Sequence, residues 1–474
     1  MLFRQISDDR LAQYAYLIGC QKTGEALIID PQRDIDRYIA LAEAEDLKIV
    51  AATETHIHAD FVSGSREFAA RGVKVYLSDE GDKDWKYQWA SEYNTTLLKH
   101  RDTFQIGNIE IKALHTPGHT PEHIAFMITD LGGGANKPMG IASGDFVFVG
   151  DVGRPDLLES AAGVAGAQEP SARRLYASLQ EFMKMPDYLQ LWPGHGAGSA
   201  CGKALGAVPE STVGYEKMFN ASIDAVRQGE DHFVGSILEG QPEPPIYFAQ
   251  MKKWNKVGPP LLKKMPDPVE LDSSAVRDMV AHNSTVFVDT RLDRSAFMKQ
   301  HIPGSLYAPF DKTFPTVAGS YVKDTDNVCL IVDRTNLDEA VRNLIRIGRD
   351  NVVAFATFDA LNEYFKSGGP SQSTSEIDMK DLDLHTNDGT VVLDVRRKSE
   401  HDPESVPGSI NVAHTRLASR MSEIPKDKKL LVHCRTGARS AVATAMLERN
   451  GYDVVYVNGM FSDWQIAHGE TAVA

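Results

Sequence analysis

Four short runs constrain this chain more than anything else in it. Thr55-His56-Ile57-His58-Ala59-Asp60 places three metal-capable side chains at alternate positions directly after the β-rich run K-I-V-A-A-T. Alternate residues of an extended segment share one side, so these three can converge on one ion. Further on come Thr116-Pro117-Gly118-His119-Thr120, then Gly144-Asp145 after I-A-S, then Pro193-Gly194-His195-Gly196. Each holds a histidine or aspartate in a Gly/Pro turn at the end of a strand-like run. A lone histidine is more often a satisfied structural residue. Four such clusters, in loops that a layered α/β domain would gather at its strand ends, point to a metal site.

The surrounding composition is that of a folded enzyme-sized chain. At 474 residues it holds about three domains. Hydrophobic content of 42% and charged content of 24% exclude disordered, collagen-like or coiled-coil descriptions of the whole. A net charge of −15 argues against a nucleic-acid partner. No apolar run approaches the length of a membrane helix, and no secretory leader pattern opens the sequence, so no membrane association is expected. The four cysteines, Cys20, Cys201, Cys329 and Cys434, lie too far apart for a disulfide framework, which suits a reducing, cytoplasmic setting.

Residues 1–250 alternate short β-rich runs, helical patterns and Gly/Pro-punctuated loops. Seven prolines between Gly240 and Pro268 then predict a linker, placed at 251–269. Beyond it lies an internal repeat. V-F-V-D-T-R at 286–291 matches V-V-L-D-V-R at 391–396, I-P-G-S at 302–305 matches V-P-G-S at 406–409, and L-I-V-D-R-T-N at 330–336 matches L-V-H-C-R-T-G at 431–437. The repeat predicts two small α/β domains, 270–370 and 371–474, joined near the Gly/Ser-rich stretch 367–375.

The order H-x-H-x-D, T-P-G-H-T, G-D, P-G-H-G resembles the metallo-β-lactamase fold over roughly residues 1–250. Hydrolases of that fold usually read H-x-H-x-D-H and hold two zinc ions. Phe61 stands where the last histidine would be, and a phenyl ring cannot coordinate metal, so a mononuclear centre is favoured. The remaining set resembles the persulfide dioxygenase branch, which implies His56, His119 and Asp145 around one Fe(II) per chain, with open positions for oxygen and a thiolate-like substrate. His58, Asp60 and His195 would then orient ligands or water. The alternative makes His58 a fourth ligand and the metal zinc. Gly153-Arg154-Pro155-Asp156 resembles the G-R-x-D loop of the same branch, and Arg154 either meets a substrate anion or forms an ion pair with Asp156. Cys201, six residues past His195, either lines the pocket as a thiolate favoured by Lys203 or is a buried filler.

Near the C-terminus, L-L-V-H-C-R-T-G-A-R-S reads as a strand, a loop from Cys434 to Arg439, and a helix. Backbone N–H groups at a helix N-terminus stabilise a thiolate, and Arg435 and Arg439 would add charge to hold an anionic acceptor. The loop resembles the C-x-x-G-x-R of rhodaneses, in which the cysteine carries a persulfide. Phosphatase loops place arginine one position later, where this chain has Ser440. The aligned residue in the first repeat is Asp333, which cannot carry a persulfide, so 270–370 is expected to be a rhodanese-like domain without catalysis.

Taken together, the expectation is an α/β chain: an αββα metallo-β-lactamase sandwich followed by two rhodanese-like domains. It resembles fused persulfide dioxygenase–sulfurtransferases of sulfide detoxification. That resemblance implies a small-molecule thiol persulfide and O₂ as substrates and sulfite or thiosulfate as product; the acidic surface, the repeat without catalysis and the commonness of symmetric self-association among soluble enzymes lead us to expect a homodimer or homotetramer. A zinc hydrolase of the glyoxalase II or lactonase kind fused to a sulfurtransferase, and a non-catalytic sulfur relay, remain the competing readings.

Overall fold

The structure, a computed structural model, describes residues 1–160 and 166–468. The last six residues of the expected C-terminal domain lie outside that set. The chain divides into two compact units, Met1–Lys264 with Ile345–Gly348, and Met265–Leu344 with Arg349–Ala474.

The first unit contains two six-stranded sheets whose spatial order follows the chain. One comprises Leu2–Asp8, Gln13–Cys20, Glu25–Ile29, Lys48–Thr53, Lys74–Ser78 and Thr95–Leu98. The other comprises Thr103–Ile106, Ile109–His115, Ile124–Asp130, Gly140–Gly144, Gln190–Pro193 and Ser211–Thr212. Period-two alternation decides which face each side chain meets. In Gln13–Cys20, Tyr16, Ile18 and Cys20 enter the core between the sheets, where they meet Ile111, Phe126 and Trp192. Ala15 and Leu17 point the other way, onto Tyr38 and Ala42 of the helix Asp36–Ala44. The second sheet does the same in mirror fashion. Ile124, Phe126 and Ile128 face inward, while Ala125 packs with Ala172, Leu175, Leu179 and Phe182 of the helix Gln168–Phe182. The spacing of those four is that of one helical face. Helix, sheet, sheet and helix layers follow, as the αββα reading requires.

Two proline clusters flank a helix, Phe248–Val257, where the sequence reading placed the start of a linker. Those ten residues contain no proline, and Phe248, Met251 and Asn255 recur on one buried face. The prolines therefore punctuate the helix at both ends and do not abolish it.

In the second unit lie two five-stranded sheets, each with all recorded strand pairs parallel. Numbering strands by chain order within each sheet, both run 1-5-4-2-3. The matched D-x-R pieces close the same strand in each. Arg291 pairs with Asp289 at 2.7 Å and donates to the Gln300 carbonyl. Arg396 pairs with Asp394 at 2.6 Å and donates to the Glu404 carbonyl. Among the described residues, no helix is long and apolar enough to cross a membrane.

Candidate metal centre and cysteine loop

All four motif runs leave the carboxyl ends of strands in the first unit: Lys48–Thr53, Ile109–His115, Gly140–Gly144 and Gln190–Pro193. Their side chains converge. His56, His119 and Asp145 are buried and offer ligand atoms within 4.8 Å of one another. Asp145 Oδ2 lies 3.5 Å from His119 Nε2 and 3.9 Å from His56 Nε2. The close approach of the loops depends on glycine. Gly144 has φ +53°, and a Cβ there would sit 2.5 Å from Thr55 Oγ1 and 2.8 Å from His123 Nε2.

The surroundings set each donor's direction. His119 Nδ1–H donates to the Arg154 carbonyl at 3.0 Å, which leaves the Nε2 lone pair facing Asp145. His195 Nδ1–H donates to the Ala12 carbonyl at 3.1 Å, and its Nε2 lies 3.4 Å from both Asp60 and Asp145. His58 Nε2–H donates to Asp30 at 3.0 Å and turns Nδ1 toward Asp60. Both oxygens of Asp60 and of Asp145, with His195 Nε2 and His58 Nδ1, have no hydrogen-bond partner among the described residues.

Such orphaned, buried donor atoms are costly unless a cation satisfies them. The titration preferences agree. Burial, with the Asp60 charge added, pushes Asp145 up to about 6 against the opposing pull of His195. Burial likewise pushes Asp60 up to about 6 and His119 down to about 3. Burial alone would lower His58, yet the Asp30, Asp60 and Glu54 carboxylates hold it at about 9. A neutral His119 imidazole beside two crowded carboxylates is a donor set that a divalent metal stabilises, and His58, held protonated, stands outside it. A second group, Asp60, His195 and Cys201, also brings three ligand atoms within 4.8 Å.

Several participants escaped the sequence reading. His123 accepts the Asp145 N–H at 3.1 Å through Nε2, while its Nδ1–H meets Thr116 at 2.7 Å. Asp30 receives the Thr55 N–H and hydroxyl at 2.7 and 2.9 Å besides His58. Asn255, inside the segment read as linker, donates to the carbonyls of His58 and Phe61 at 2.9 and 2.7 Å and accepts the Ser63 N–H. His123 had a signal, since it stands four residues past His119. The other two had none.

Two expectations change. Arg154 is buried and its guanidinium forms two bonds to Asp156 at 2.7 and 2.6 Å and one to the Ala200 carbonyl. The ion-pair reading of that loop is the one the structure draws, and the residue's link to the site runs through its carbonyl. Lys203 does not activate Cys201, because its ammonium is spent on the carbonyls of Ser236 and Glu239. Burial and the carboxylates of Asp145 and Asp60 push the Cys201 thiol well above its ordinary range.

In the second unit Cys434 follows the strand Lys429–His433 and precedes the helix Ala438–Arg449, with Gly437 at φ +85° making the turn. The thiol is buried and receives the Ser440 hydroxyl at 3.5 Å. Arg439 does not offer a free charge: it makes two bonds, of 2.6 and 2.8 Å, to Glu400. Arg435 is exposed. In the first repeat, Asp333 is exposed at the start of a short 3₁₀ turn, Arg334–Asn336.

An αββα sandwich with clustered metal donors at its strand ends, followed by parallel sheets with a cysteine at a helix N-terminus, marks a metallo-β-lactamase-type domain joined to a rhodanese-type domain. Comparison with known proteins supplies the family. The Metallo-beta-lactamase superfamily profile matches residues 8–195 and the Rhodanese-like domain profile matches 378–467. A solved metallo-beta-lactamase from Staphylococcus aureus subsp. aureus COL is 41% identical with a TM-score of 0.67, covering 75% of this chain and 98% of that one. The chain belongs to the metallo-β-lactamase superfamily and carries a C-terminal rhodanese domain. The Beta-lactamase hydrolase-like protein of Xylella fastidiosa (strain 9a5c) is 28% identical over 249 residues, 46% of this chain, so the match spans 52% of that relative's length. Persulfide dioxygenase ETHE1, mitochondrial, of Bos taurus is 26% identical over 201 residues, 41% of this chain and 68% of that protein.

Proposed function

We propose that the first unit oxidises a low-molecular-weight thiol persulfide with O₂ at one Fe(II), and that Cys434 transfers sulfane sulfur. The observation carrying this reading is the buried His56, His119 and Asp145 group with both Asp145 oxygens unpartnered. Two histidines and one carboxylate are the donor set of mononuclear non-haem iron. When bound, the metal supplies open coordination positions and redox capacity for oxygen and a sulfur anion. The chain's own residues preorganise the donors. The Arg154 carbonyl fixes the His119 ring, His123 fixes the Asp145 backbone, and Asp30 fixes His58. Burial excludes bulk water from all of them.

The overall change is persulfide plus O₂ plus water to free thiol and sulfite. The Cys434 thiolate takes the outer sulfur of a second persulfide molecule, whose S–S bond breaks to release the carrier thiol; sulfite then attacks the outer sulfur of the Cys434 persulfide, that S–S bond breaks, and thiosulfate leaves with Cys434 as thiolate. In this reading residues 1–250 carry the oxidation, 371–474 the transfer, and 270–370 no chemistry of their own. The second donor group, Asp60, His195 and Cys201, favours one competing reading: a zinc hydrolase with the same appended transferase.

Metal analysis of anaerobically purified protein, with oxygen uptake on a thiol persulfide, decides between them. About one iron per chain, with uptake lost in His119→Ala and kept in Cys434→Ser, is expected. Zinc with no oxygen uptake would refute the dioxygenase and direct the search to thioesters and lactones.

A further inference from the structure

We infer that Arg294, on the repeat that lacks a cysteine, is a positioning residue of the Cys434 loop that orients the backbone N–H groups of its anion-binding face. This rests on the reading of Cys434 as the sulfur-carrying thiol. The first observation concerns three consecutive carbonyls. Arg435 O accepts the Phe461 N–H at 2.8 Å. Thr436 O accepts Arg294 Nη2 at 2.9 Å. Gly437 O accepts the Ala441 N–H at 3.1 Å.

No cis peptide is recorded among the described residues, and a planar trans peptide sends its N–H opposite its carbonyl. Pinning these oxygens therefore turns the N–H groups of Thr436, Gly437 and Ala438 to the other side. None of the three has an acceptor among the described residues. A row of aligned, unused N–H groups at the start of a twelve-residue helix is built for a negative charge.

Charge is the second observation. Of the two arginines in the motif, Arg439 is neutralised by Glu400 and Arg435 is exposed. Arg294 has no carboxylate within ion-pair distance among the described residues. Instead its Nε donates to Asn458 Oδ1 at 3.1 Å. Asn458 is itself held by the Tyr456 hydroxyl, by Gly459 N–H and by Glu376, and Glu376 also accepts the Ser295 hydroxyl. The guanidinium is thus held against the loop's backbone by two bonds and no ion pair, with Glu376 joined to it only through Asn458. It arrives from 142 residues away, out of the repeat whose own loop position is Asp333. A domain without a nucleophile holds its neighbour's loop from behind.

The ligand class is a small sulfur oxyanion, donor or acceptor, such as thiosulfate or sulfite. The test uses the full chain and two readouts. In the first, Cys434 is alkylated by anionic iodoacetate and by neutral iodoacetamide, with peptide-resolved mass spectrometry isolating that thiol. In the second, sulfur transfer from thiosulfate is measured as kcat and KM.

For Arg294→Ala we expect the iodoacetate-to-iodoacetamide rate ratio to fall about tenfold and KM for thiosulfate to rise about tenfold, the scale of one lost charge-assisted hydrogen bond. We expect kcat to stay within about twofold of wild type, and Arg294→Lys to recover part of both effects. Oxygen uptake at the metal centre and the melting profile report that the variants are folded. A folded Arg294→Ala protein with an unchanged reagent ratio overturns the proposal, and so does a variant that slows both reagents equally. Full transfer activity in Cys434→Ser would instead refute the assignment of the thiol, and the reagent ratio would still decide the role of Arg294.

Discussion

Replacing Glu400 by glutamine tests the electrostatics of the cysteine loop with a magnitude that the structure supplies. Burial alone would raise the Glu400 carboxyl, but the two bonds and the charge of Arg439, with the Arg397 N–H, hold it at about 2 against 4.5 when free. At 1.36 kcal/mol per pH unit, that gap is about 3.4 kcal/mol of net preference for the charged carboxylate, Arg397 included and burial already subtracted. The Arg439 and Glu400 side chains are 24% and 27% exposed, so solvent screening leaves about 1–2 kcal/mol.

The sign follows from the depressed folded value. The stabilisation is complete above about pH 4.5 and is lost as pH falls toward about 2. Differential scanning calorimetry on the full chain should show the second unit of Glu400→Gln melting roughly 2–8 °C below wild type at pH 7. The gap should hold at pH 5.5 and narrow by pH 3.5. Equal melting at pH 7 would refute the pairing energy, and a gap that widened on acidification would refute its sign. The same variant releases Arg439, so alkylation of Cys434 by iodoacetate should accelerate relative to iodoacetamide.

Three further outcomes are expected at the first unit. Asp30→Asn puts a donor where Thr55 and His58 both donate, and metal retained after dialysis against a chelator should fall about 10–100-fold. Gly144→Ala forces a side chain into a left-handed φ against Thr55 and His123, and should reduce iron per chain while leaving Cys434 alkylation unchanged. Asn255→Ala strands the carbonyls of His58 and Phe61 and the Ser63 N–H, and should lower the first unit's stability in urea by about 2–4 kcal/mol.

What the sequence made legible was the set of short-range patterns. Alternating apolar runs predicted the strands, and histidines in Gly/Pro turns after those runs marked the loops that meet at one sandwich edge. D-x-R pairs spaced about a hundred residues apart announced two copies of one sheet, and both have the same strand order. Illegible were contacts that exist only after folding. Asn255 reaches His58 across 197 residues and Arg294 reaches Thr436 across 142, and no local pattern marks either. Asp30 is the last residue of an apolar run and looks like a strand end, although its positive φ of 51° aims three bonds at the metal loop. The proline count misled at 251–269 because proline marks where a helix stops and says nothing of the ten proline-free residues between two such stops.

The two sites share one physical strategy despite unrelated chemistry. At the metal centre, a backbone carbonyl behind each of His119 and His195 captures one ring N–H and thereby aims the opposite lone pair. At the cysteine loop, donors behind three carbonyls aim the opposite N–H groups. In each case the working atom is oriented by a hydrogen bond on its far side, made by a residue that touches no reactant. Such a bond costs little stability to keep, since it satisfies a polar group that folding would bury anyway. Its loss acts on direction more than on folding, because a ring or peptide free to rotate spends most of its time misaligned. On the proposed reading, a repeat without a cysteine bears on sulfur transfer in the same way: its Arg294 holds a peptide plane, and holding a plane requires a well-placed donor, not a nucleophile.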